Sequence, residues 1–519
     1  MTAWIGEVRP SSGGTRLAVK DNVDVAGWPT TCAHPAFAHV ADVTAPSVQR
    51  LVDAGCVVVG KTNLDQFATG LVGTRSPYGV VVNPYVPDRI AGGSSSGSAV
   101  VIALGEADLA IGTDTAGSGR VPAALCGIVG LKPTVDLITT DGVVPACDSL
   151  DCVSIFARTV GEAASALATM AGGPRPIPIG TPVAPVGPLR IGVPRAADLD
   201  ALDAEASVAW ERALKEIGRL GPVVEIDLSA YLEGGQLVYG AAFLPERYAA
   251  VGEFLASHPE GADPTVAAII ARGGTIDAAS SAADRDRLAA LRQAVATWWA
   301  SVDVVVVPTV GEAPTIDAVA ADPVGVNLRL GTFTAGANPL DLCGASVPCG
   351  WRDDGVPFGV TFLGPAFADP VVAVAGARLV GEPDPAPPSW VGWTDVVVVG
   401  AHLSGQPLNW QLTDRGGHLV GAVPTAPEYR LVALPTEPPK PGLVRVGPGG
   451  ASIATEVWRL PTDAYGSFVA GIPAPLCIGT VSLADGTSAQ GFLCESLAAD
   501  TAPDITEHGG WLAYLETRS

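Results

Sequence analysis

Residues 91–134 read AGGSSSGSAVVIALGEADLAIGTDTAGSGRVPAALCGIVGLKPT. Two loops of small residues, 92–98 and 113–119, flank a pattern that predicts one helix and one strand. Such loops allow backbone N–H groups to approach a ligand closely and to point at developing negative charge. Taken alone, the pair is compatible with a catalytic site, with a phosphate-binding nest or with simple linkers.

Several known motifs are missing from these loops. They contain neither the GxxxxGK[ST] of a P-loop nor the GxGxxG of a dinucleotide site. A GxSxG does occur, centred on Ser95, but the residues before it are a poor strand, so we interpret this match as chance. No histidine lies near either loop, and a serine nucleophile would need Lys20 as its base. A lysine acts as a base only when neutral, which requires burial; the alternative is an ordinary surface lysine.

Outside this stretch, strand and helix patterns alternate. Thr159 and Glu162 form a capping box before an apolar helix pattern. A helix is predicted over 47–55, and amphipathic helices are predicted over 203–218 and 281–302. Buried strands are predicted over 56–61 and 303–308. The alternation predicts an α/β fold with a large mixed β-sheet flanked by helices.

The composition changes at 383–394, PDPAPPSWVGWT, which predicts a stiff Pro-rich linker. We therefore divide the chain into a first domain, 1–382, and a second domain, 395–519. The second contains many short strand patterns and few helical ones, which is typical of a small α+β or mostly β domain.

The overall composition excludes some classes of protein. The chain has 519 residues, 48% hydrophobic and 16% charged, with a net charge of −23. This acidic balance argues against a general nucleic-acid binder and against docking on anionic membranes. No apolar run suits a membrane helix and no signal peptide is recognisable, and the nine cysteines form no CxxC. The scattered cysteines predict reduced thiols and therefore a cytoplasmic protein. The six histidines lack metal-ligand spacing, so we expect neither a metal nor a cofactor.

Four blocks resemble the amidase signature family in order along the chain: KDNVDVAGWPTT, KTNLDQFATGLVGTRSPYG, GGSSSGSAV and GTDTAGSGRVPAALCGIVGLKPT. The resemblance covers residues 15–380 and implies a Ser-cisSer-Lys triad. By motif, the nucleophile is Ser118, the bridging serine is Ser94 and the base is Lys20. The resemblance also implies an oxyanion hole of backbone N–H groups, namely those of Thr115, Ala116 and Gly117. Asp114 and Arg120 are expected to shape the loop without a chemical step.

The second domain resembles the C-terminal domain of the allophanate hydrolase branch, through segments such as GAHLSGQPLNWQL and YGSFVAGIPAPLCIGTVSLADG. The resemblance implies hydrolysis of allophanate in urea degradation and nitrogen metabolism, with a γ-glutamylcyclotransferase-like second domain that assists decarboxylation. His402 and Glu495 are the candidates there, ahead of His418 and His508. A biotin-dependent urea carboxylase is the implied functional link.

The small anionic substrate needs a cationic clamp, and Arg329 in NLRLGTFTAGANPLDL matches the family's substrate loop. An ordinary surface ion pair is the alternative for this arginine. Relatives have Tyr-Thr-Asn-Phe where this chain has Phe333, Thr334, Ala335 and Gly336. Only 19 residues precede Lys20, where relatives have a longer helical segment; if that segment supports a homodimer, we expect a weaker one here.

Two other functions stay open from the sequence. The first is an amidase-signature hydrolase of another small amide, which the changed substrate loop keeps in consideration. The second is a catalytically impaired scaffold or binding protein. Lys20, Ser94 and Ser118 count against the scaffold, and the complete second domain counts against a different amide.

Overall fold

The computed structural model describes residues 2–11, 13–178, 188–388 and 392–518. Its internal contacts divide the chain into unit 1, Met1–Trp390, and unit 2, Val391–Ser519. The predicted linker 383–394 spans this boundary. Its residues 389–391 lie outside the described residues, and its last two residues already belong to the first strand of unit 2.

Unit 1 contains thirteen described strands, eleven of which form one mixed sheet. In chain order they are β1 (Trp4–Ile5), β2 (Thr15–Lys20), β3 (Pro29–Thr30), β4 (His39–Val40), β5 (Cys56–Thr62), β6 (Leu109–Asp114), β7 (Val129–Lys132), β8 (Cys152–Ala157), β9 (Ile191–Pro194), β10 (Val223–Ile226), β11 (Val304–Pro308), β12 (Leu342–Trp351) and β13 (Pro357–Pro365). The spatial order is β1-β5-β2-β6-β8-β7-β12-β13-β11-β9-β10, while β3 and β4 pair separately. The prediction of a large mixed sheet is confirmed.

Helices surround this sheet. They are α1 (Pro46–Asp53), α2 (Ser96–Ala103), α3 (Arg120–Leu125), α4 (Val160–Met170), α5 (Ala204–Ile217), α6 (Ser229–Gln236), α7 (Leu244–Ser257), α8 (Pro264–Gly273), α9 (Ala278–Ala296), α10 (Ile316–Ala321), α11 (Gly325–Leu330) and α12 (Asp369–Val380). The capping box is confirmed, because Thr159 Oγ1 accepts from the Glu162 amide and the Glu162 carboxylate accepts from the Thr159 amide.

Helix α9 departs furthest from its predicted bounds. Helix α9 begins three residues before Ser281 and ends at Ala296, not at Val302. The Asp277 carboxylate accepts from the Ser280 amide and so caps the earlier start. A short 3₁₀ turn, Thr297–Ala300, replaces the last predicted helical residues before β11.

The stretch 91–134 lies in the centre of unit 1. Strand β6 is buried along its whole length, parallel to β2 and antiparallel to β8. Helix α2 is also buried on all sides, which explains why its residues are apolar or small throughout. Since β2 and β6 run parallel with Val19 opposite Ile111, the carboxyl ends of both strands meet at one edge of the sheet. That edge brings Lys20 beside the loop that follows β6.

Unit 2 is a small α+β domain. Its strands are β14 (Trp393–Val398), β15 (His418–Ala422), β16 (Tyr429–Leu434), β17 (Lys440–Arg445), β18 (Glu456–Pro461), β19 (Leu476–Ser482) and β20 (Ser488–Cys494), and its helices are α13 (Trp410–Thr413), α14 (Thr462–Ala470), α15 (Ser496–Ala499) and α16 (Trp511–Glu516). Five strands form a sheet in the order β15-β18-β14-β20-β19, and β16 pairs with β17. An apolar core that includes Tyr429 and Trp511 lies within this unit.

Among residues 2–11, 13–178, 188–388 and 392–518, no helix combines the length and the apolar character that crossing a bilayer requires.

Candidate active site

Lys20 is the last residue of β2, and its side chain is completely buried. Its Nζ donates to Ser94 Oγ at 2.8 Å and to Thr113 Oγ1 at 2.7 Å. The alternative of a surface lysine is therefore wrong. Both hydrogen-bond partners are neutral hydroxyls, and Thr113 is a contact that the sequence motifs did not single out.

Burial lowers the pKa of Lys20 to about 7, against the opposing influence of the Asp151, Asp65 and Asp114 carboxylates. A charged ammonium loses its hydration in such a place, and two hydroxyl dipoles replace that hydration incompletely. A substantial fraction of Lys20 is consequently neutral near neutral pH. This is the protonation state that a general base needs.

Ser94 lies in the first small-residue loop, after a cis Gly93–Ser94 peptide bond. Its carbonyl oxygen accepts from the Asp65 amide at 3.1 Å. The Asp65 carboxylate in turn accepts from backbone amides of 72, 73 and 75. The next residue joins the two loops, because the Ser95 amide donates to the Ser118 carbonyl at 3.3 Å and Ser95 Oγ donates to the Thr113 carbonyl at 3.1 Å. No strand precedes Ser95 directly, which agrees with our interpretation of its motif as chance.

Ser118 is buried in the second loop, next to the first. Its Oγ donates to the Gly70 carbonyl oxygen at 3.4 Å. Among the described residues, no hydrogen bond joins Ser118 Oγ to Ser94 Oγ. The three predicted triad residues are thus gathered in one buried site, with the lysine–serine contact formed and the serine–serine contact open.

The predicted oxyanion donors divide into two groups. The Gly117 amide donates to Asp114 Oδ1 at 2.8 Å, so this N–H is already satisfied and does not fit the predicted role. The amides of Thr115 and Ala116 have no acceptor in the described parts of the chain. These two N–H groups, near Ser118, are the ones free to bind a developing oxyanion.

Asp114 and Arg120 fix the shape of the loop that carries Ser118. Asp114 accepts from the amides of Gly117, Gly119 and Arg120, and it also accepts the Arg120 guanidinium. Burial disfavours the carboxylate form of Asp114, but the guanidinium and these hydrogen bonds hold the pKa below its ordinary value. The arrangement agrees with the expectation of a shaping role.

Two more buried residues support the same loop and were not predicted from the sequence as site residues. Asn338 Nδ2 donates to the Asp114 carbonyl at 2.7 Å and to the Leu150 carbonyl at 2.8 Å. Thr334 Oγ1 donates to the Ala116 carbonyl at 2.9 Å. A Cβ at Gly117, whose φ is +128°, would lie 2.2 Å from Thr334 Oγ1, so the site requires glycine there.

The segment 333–336 packs against helix α6. Phe333 is buried in a core cluster, and its carbonyl accepts from the Tyr231 hydroxyl at 2.7 Å. A Cβ at Gly336 would lie 2.5 Å from the Tyr231 carbonyl and 2.9 Å from its ring. Helix α6, which carries Tyr231, therefore occupies the space that a larger residue at 336 would need.

Arg329 does not fit the predicted substrate clamp. It lies on α11 with half of its side chain exposed. Its Nε contacts Glu312 at 3.0 Å and its Nη1 contacts Asp322 at 3.3 Å. Although Arg329 borders a cavity of about 600 Å³, two carboxylates already neutralise its charge, as in an ordinary surface ion pair.

Arg247, on α7, is a buried arginine that sequence reasoning missed. It forms no ion pair with any described residue, and its Nε has no hydrogen-bond partner. Its guanidinium carbon lies 5.2 Å from the ring centroid of Tyr239, a residue that lines the same cavity. The charge of Arg247 also acts on Asp151, which accepts from Thr115 Oγ1. A buried arginine without an ion-pair partner among the described residues, close to the loop 113–119, indicates a candidate anion site, and this feature arises only from the fold.

In unit 2, His402 follows β14 and is largely buried. Its Nε2 lies 2.9 Å from Gln411 Oε1, and its ring stacks on Phe492 with centroids 4.9 Å apart. Burial lowers its pKa. His402 borders a small pocket lined also by Lys440, Leu476 and Phe492.

The other predicted residues of unit 2 lie elsewhere. Glu495 is exposed, and its amide donates to the Pro475 carbonyl at 3.0 Å. His418 meets the edge of the Trp393 ring, and His508 contacts Tyr514. None of these three is among the described residues that line the His402 pocket.

Each of the two units matches the model of a known protein family. The family model described as Amidase matches residues 12–372. The chain therefore belongs to the amidase family of enzymes. The model described as Allophanate hydrolase C-terminal domain matches residues 394–516, so the chain combines an amidase domain with this second domain.

Solved structures from Kluyveromyces lactis are similar over the full chain. Its allophanate hydrolase is 36% identical with a TM-score of 0.88, covering 100% of this chain and 94% of that one. The urea amidolyase of Saccharomyces cerevisiae is 40% identical over 97% of this chain, which covers 29% of that protein. The chain thus spans under a third of the length of this curated relative. A glutamyl-tRNA(Gln) amidotransferase subunit from Acidobacterium capsulatum is 33% identical over 70% of this chain, which covers 84% of that subunit.

Proposed function

We propose that this enzyme hydrolyses allophanate, the N-carboxylated form of urea, through an acyl-enzyme on Ser118. The observation that carries the proposal is the position of Lys20, buried with its Nζ 2.8 Å from Ser94 Oγ. The pKa of this lysine, about 7, allows it to be neutral at working pH. A neutral lysine hydrogen-bonded to Ser94, with Ser118 in the neighbouring glycine-containing loop, suits a serine nucleophile that forms an acyl-enzyme.

In the proposed first step, neutral Lys20 accepts the proton of Ser94, and Ser94 accepts that of Ser118. Ser118 Oγ first turns from the Gly70 carbonyl toward Ser94, a rotation about one side-chain torsion. It then attacks the amide carbonyl of the substrate. The proton returns by the same route to the departing ammonia, and water hydrolyses the ester.

The tetrahedral oxyanion would be held by the amides of Thr115 and Ala116, which lack other acceptors among the described residues. Donors fixed before the reaction need no reorganisation when charge develops. Asp114 fixes this loop through its three backbone contacts and its pairing with Arg120. These contacts support a preorganised hole rather than one assembled on binding.

We assign the substrate carboxylate to Arg247 in place of Arg329. Arg247 is a buried cation without an ion-pair partner among the described residues, whereas Arg329 is exposed and doubly paired. A planar guanidinium can hold a carboxylate with two parallel hydrogen bonds. The neighbouring Tyr239 would close one side of the substrate position.

The product of the first step is N-carboxycarbamate, −O2C–NH–CO2−. We propose that unit 2 accelerates its decarboxylation at His402. One C–N bond breaks, its electron pair stays on nitrogen, and nitrogen takes up one proton, giving carbamate and CO2. Carbamate then loses CO2 to yield the second ammonia. His402 suits the proton transfer because imidazole titrates near neutral pH.

The extent of similarity favours allophanate over other small amides. Similarity to the urea amidolyases covers 97% of the chain, whereas similarity to the tRNA amidotransferase subunits covers about 70%. The urea amidolyases are also much longer than this chain. We infer that a biotin-dependent urea carboxylase supplies the substrate here.

Ammonia release should be compared on allophanate, malonamate, biuret and urea at equal concentration. Allophanate should give the highest kcat/KM, with urea unreacted, because urea lacks the carboxylate that Arg247 would hold. Preference for an uncharged amide would overturn the substrate assignment. Lack of turnover on all four, with Ser118 also unreactive toward activated esters, would favour a non-catalytic scaffold.

A further inference from the structure

The small pocket at His402 contains a charged residue for which nothing above gives a role. Its walls are residues 399–402, Lys440, Pro441, Leu476 and Phe492. None of these wall residues is acidic. Lys440 is half-buried and forms no ion pair among the described residues of the chain. A half-buried ammonium without a counter-charge, in a strongly acidic protein, indicates a place for an anionic ligand.

The start of β17 lies against the turn that carries His402. Lys440 begins β17 and pairs with Leu434 of β16. The next residue, Pro441, approaches the His402 loop so closely that a Cβ at Gly400 would lie 2.2 Å from Pro441 Cδ. Glycine at 400 therefore allows the start of β17 to meet the turn that carries His402. The lysine and the histidine share one pocket because of this contact.

The other contacts of His402 fix the orientation of its ring. The ring of Phe492 stacks on one face of His402 at an interplanar angle of 18°, and the His402 carbonyl accepts from Asn409 Nδ2 at 2.8 Å. With Nε2 beside Gln411, the second ring nitrogen has no partner among the described residues. His402 is thus fixed in orientation with one nitrogen left to exchange a proton.

We propose that Lys440 is the residue of unit 2 that binds the carboxylate of N-carboxycarbamate while His402 handles the proton. The inference rests on the proposed decarboxylation in unit 2. Lys440 holds the carboxylate that is retained, so that the other one leaves as CO2. The C–N bonding pair goes to nitrogen, which takes one proton by way of His402. A cation at this point also offsets the second negative charge of the dianion.

The test uses the full-length chain and allophanate labelled with ¹³C, followed by NMR, with ammonia and CO2 measured in parallel. Lys440→Met keeps the aliphatic stem, Lys440→Arg keeps the charge, and His402→Gln reports on the pocket itself. Lys215→Gln, at an exposed position of α5, is the matched control. We expect Lys440→Met to accumulate N-carboxycarbamate at least about tenfold above wild type while ammonia appears from the first step. Lys440→Arg should restore most of the second step, and Lys215→Gln should behave as wild type.

A binding measurement separates a ligand contact from a structural role. Malonate is a stable analogue in which CH2 replaces NH, and the His402 ring signal, identified by its loss in His402→Gln, reports this pocket alone. Malonate should shift that signal in the wild type and not in Lys440→Met. Removing the lysine should also raise the pKa of His402, since Lys440 now lowers it.

The outcomes distinguish the two proposals. If wild type releases no ammonia from allophanate, the proposed function fails. If His402→Gln delays CO2 and Lys440→Met does not, the role of Lys440 alone is overturned. The same conclusion follows if malonate leaves the His402 signal of the wild type unmoved, whatever the folding of the variants.

Discussion

Asp114 and Arg120 form a two-pronged buried ion pair across the loop that carries Ser118, with Nη2 2.8 Å from Oδ1 and Nε 2.9 Å from Oδ2. The same carboxylate accepts three backbone amides of this loop. Arg120 also donates to the Thr334 carbonyl at 2.9 Å and so joins the loop to the substrate-loop region. The position of Ser118 thus depends on one carboxylate to which we assign no chemical step.

Replacing that carboxylate should be costly for stability. Asp114→Asn leaves the Arg120 charge buried without its counter-ion, and loss of one partner of a buried pair costs ~3–5 kcal/mol. Asp353→Asn is a matched control, because it breaks an arginine–aspartate pair at 2.8 Å whose members are both more than half exposed, and such pairs contribute ~0–1 kcal/mol. Urea unfolding of both variants measures the difference. Equal losses in the free energy of unfolding would show that the buried pair contributes no more to stability than the exposed one.

Changes to the proposed relay should abolish the first ammonia without unfolding unit 1. Ser118→Ala and Lys20→Met should each lower kcat by about 10³-fold or more, and the double variant should be no worse, since residues that act as a unit are not additive. Single-turnover ammonia release and circular dichroism provide the measurements. Independent, multiplying losses would contradict a shared proton path.

The pH dependence follows from the burial of Lys20. Its pKa is lowered to about 7, and the neutral form is the base, so kcat/KM for allophanate should rise as pH increases through about 7. Protonation below this pH removes the base. Thr113→Val deletes one acceptor of the ammonium, which should move this rise to lower pH. A profile that is flat from pH 5 to 8 would assign the base elsewhere.

The two arginines should differ in their effects on substrate affinity. Arg247→Gln should raise KM for allophanate by about 100-fold, which corresponds to ~2.7 kcal/mol and lies within the range for a hydrogen-bonded charge. Arg329→Gln should change KM less than threefold, because two carboxylates already occupy its guanidinium. Steady-state kinetics with allophanate and with an uncharged activated ester would test both. The opposite ranking would restore the assignment made from the sequence.

The two units should work separately. A fragment of residues 1–388 keeps Lys20, Ser94, Ser118 and Arg247 and should release the first ammonia from allophanate. The intermediate should then decompose only at its uncatalysed rate, and adding the separate fragment 392–519 should restore part of the faster CO2 release. Time courses of ammonia and CO2 provide the test. Equal CO2 rates with and without the second fragment would leave unit 2 without a catalytic part.

Much of this molecule could be predicted from local sequence. Apolar strand patterns and the Thr159–Glu162 capping box predict elements correctly because each depends on residues that are neighbours in the chain. The four ordered blocks indicated the family, which the family models confirm. Motif position also selected Lys20, Ser94 and Ser118, which the fold gathers in one buried place.

Other features exist only in the tertiary structure. The assignment of Arg329 as the substrate clamp does not fit the structure, because its ion pairs with Glu312 and Asp322 depend on spatial proximity that the motif does not encode. The Gly117 amide does not fit its predicted role as an oxyanion donor, because it donates to Asp114. Arg247 and Lys440 were not singled out in the sequence. Arg247 is buried and Lys440 is half-buried, and neither has an ion-pair partner among the described residues. The local chain determines which elements form and which residues can do chemistry. Charge pairing and desolvation determine which of those residues are available, and both depend on contacts between distant parts of the chain.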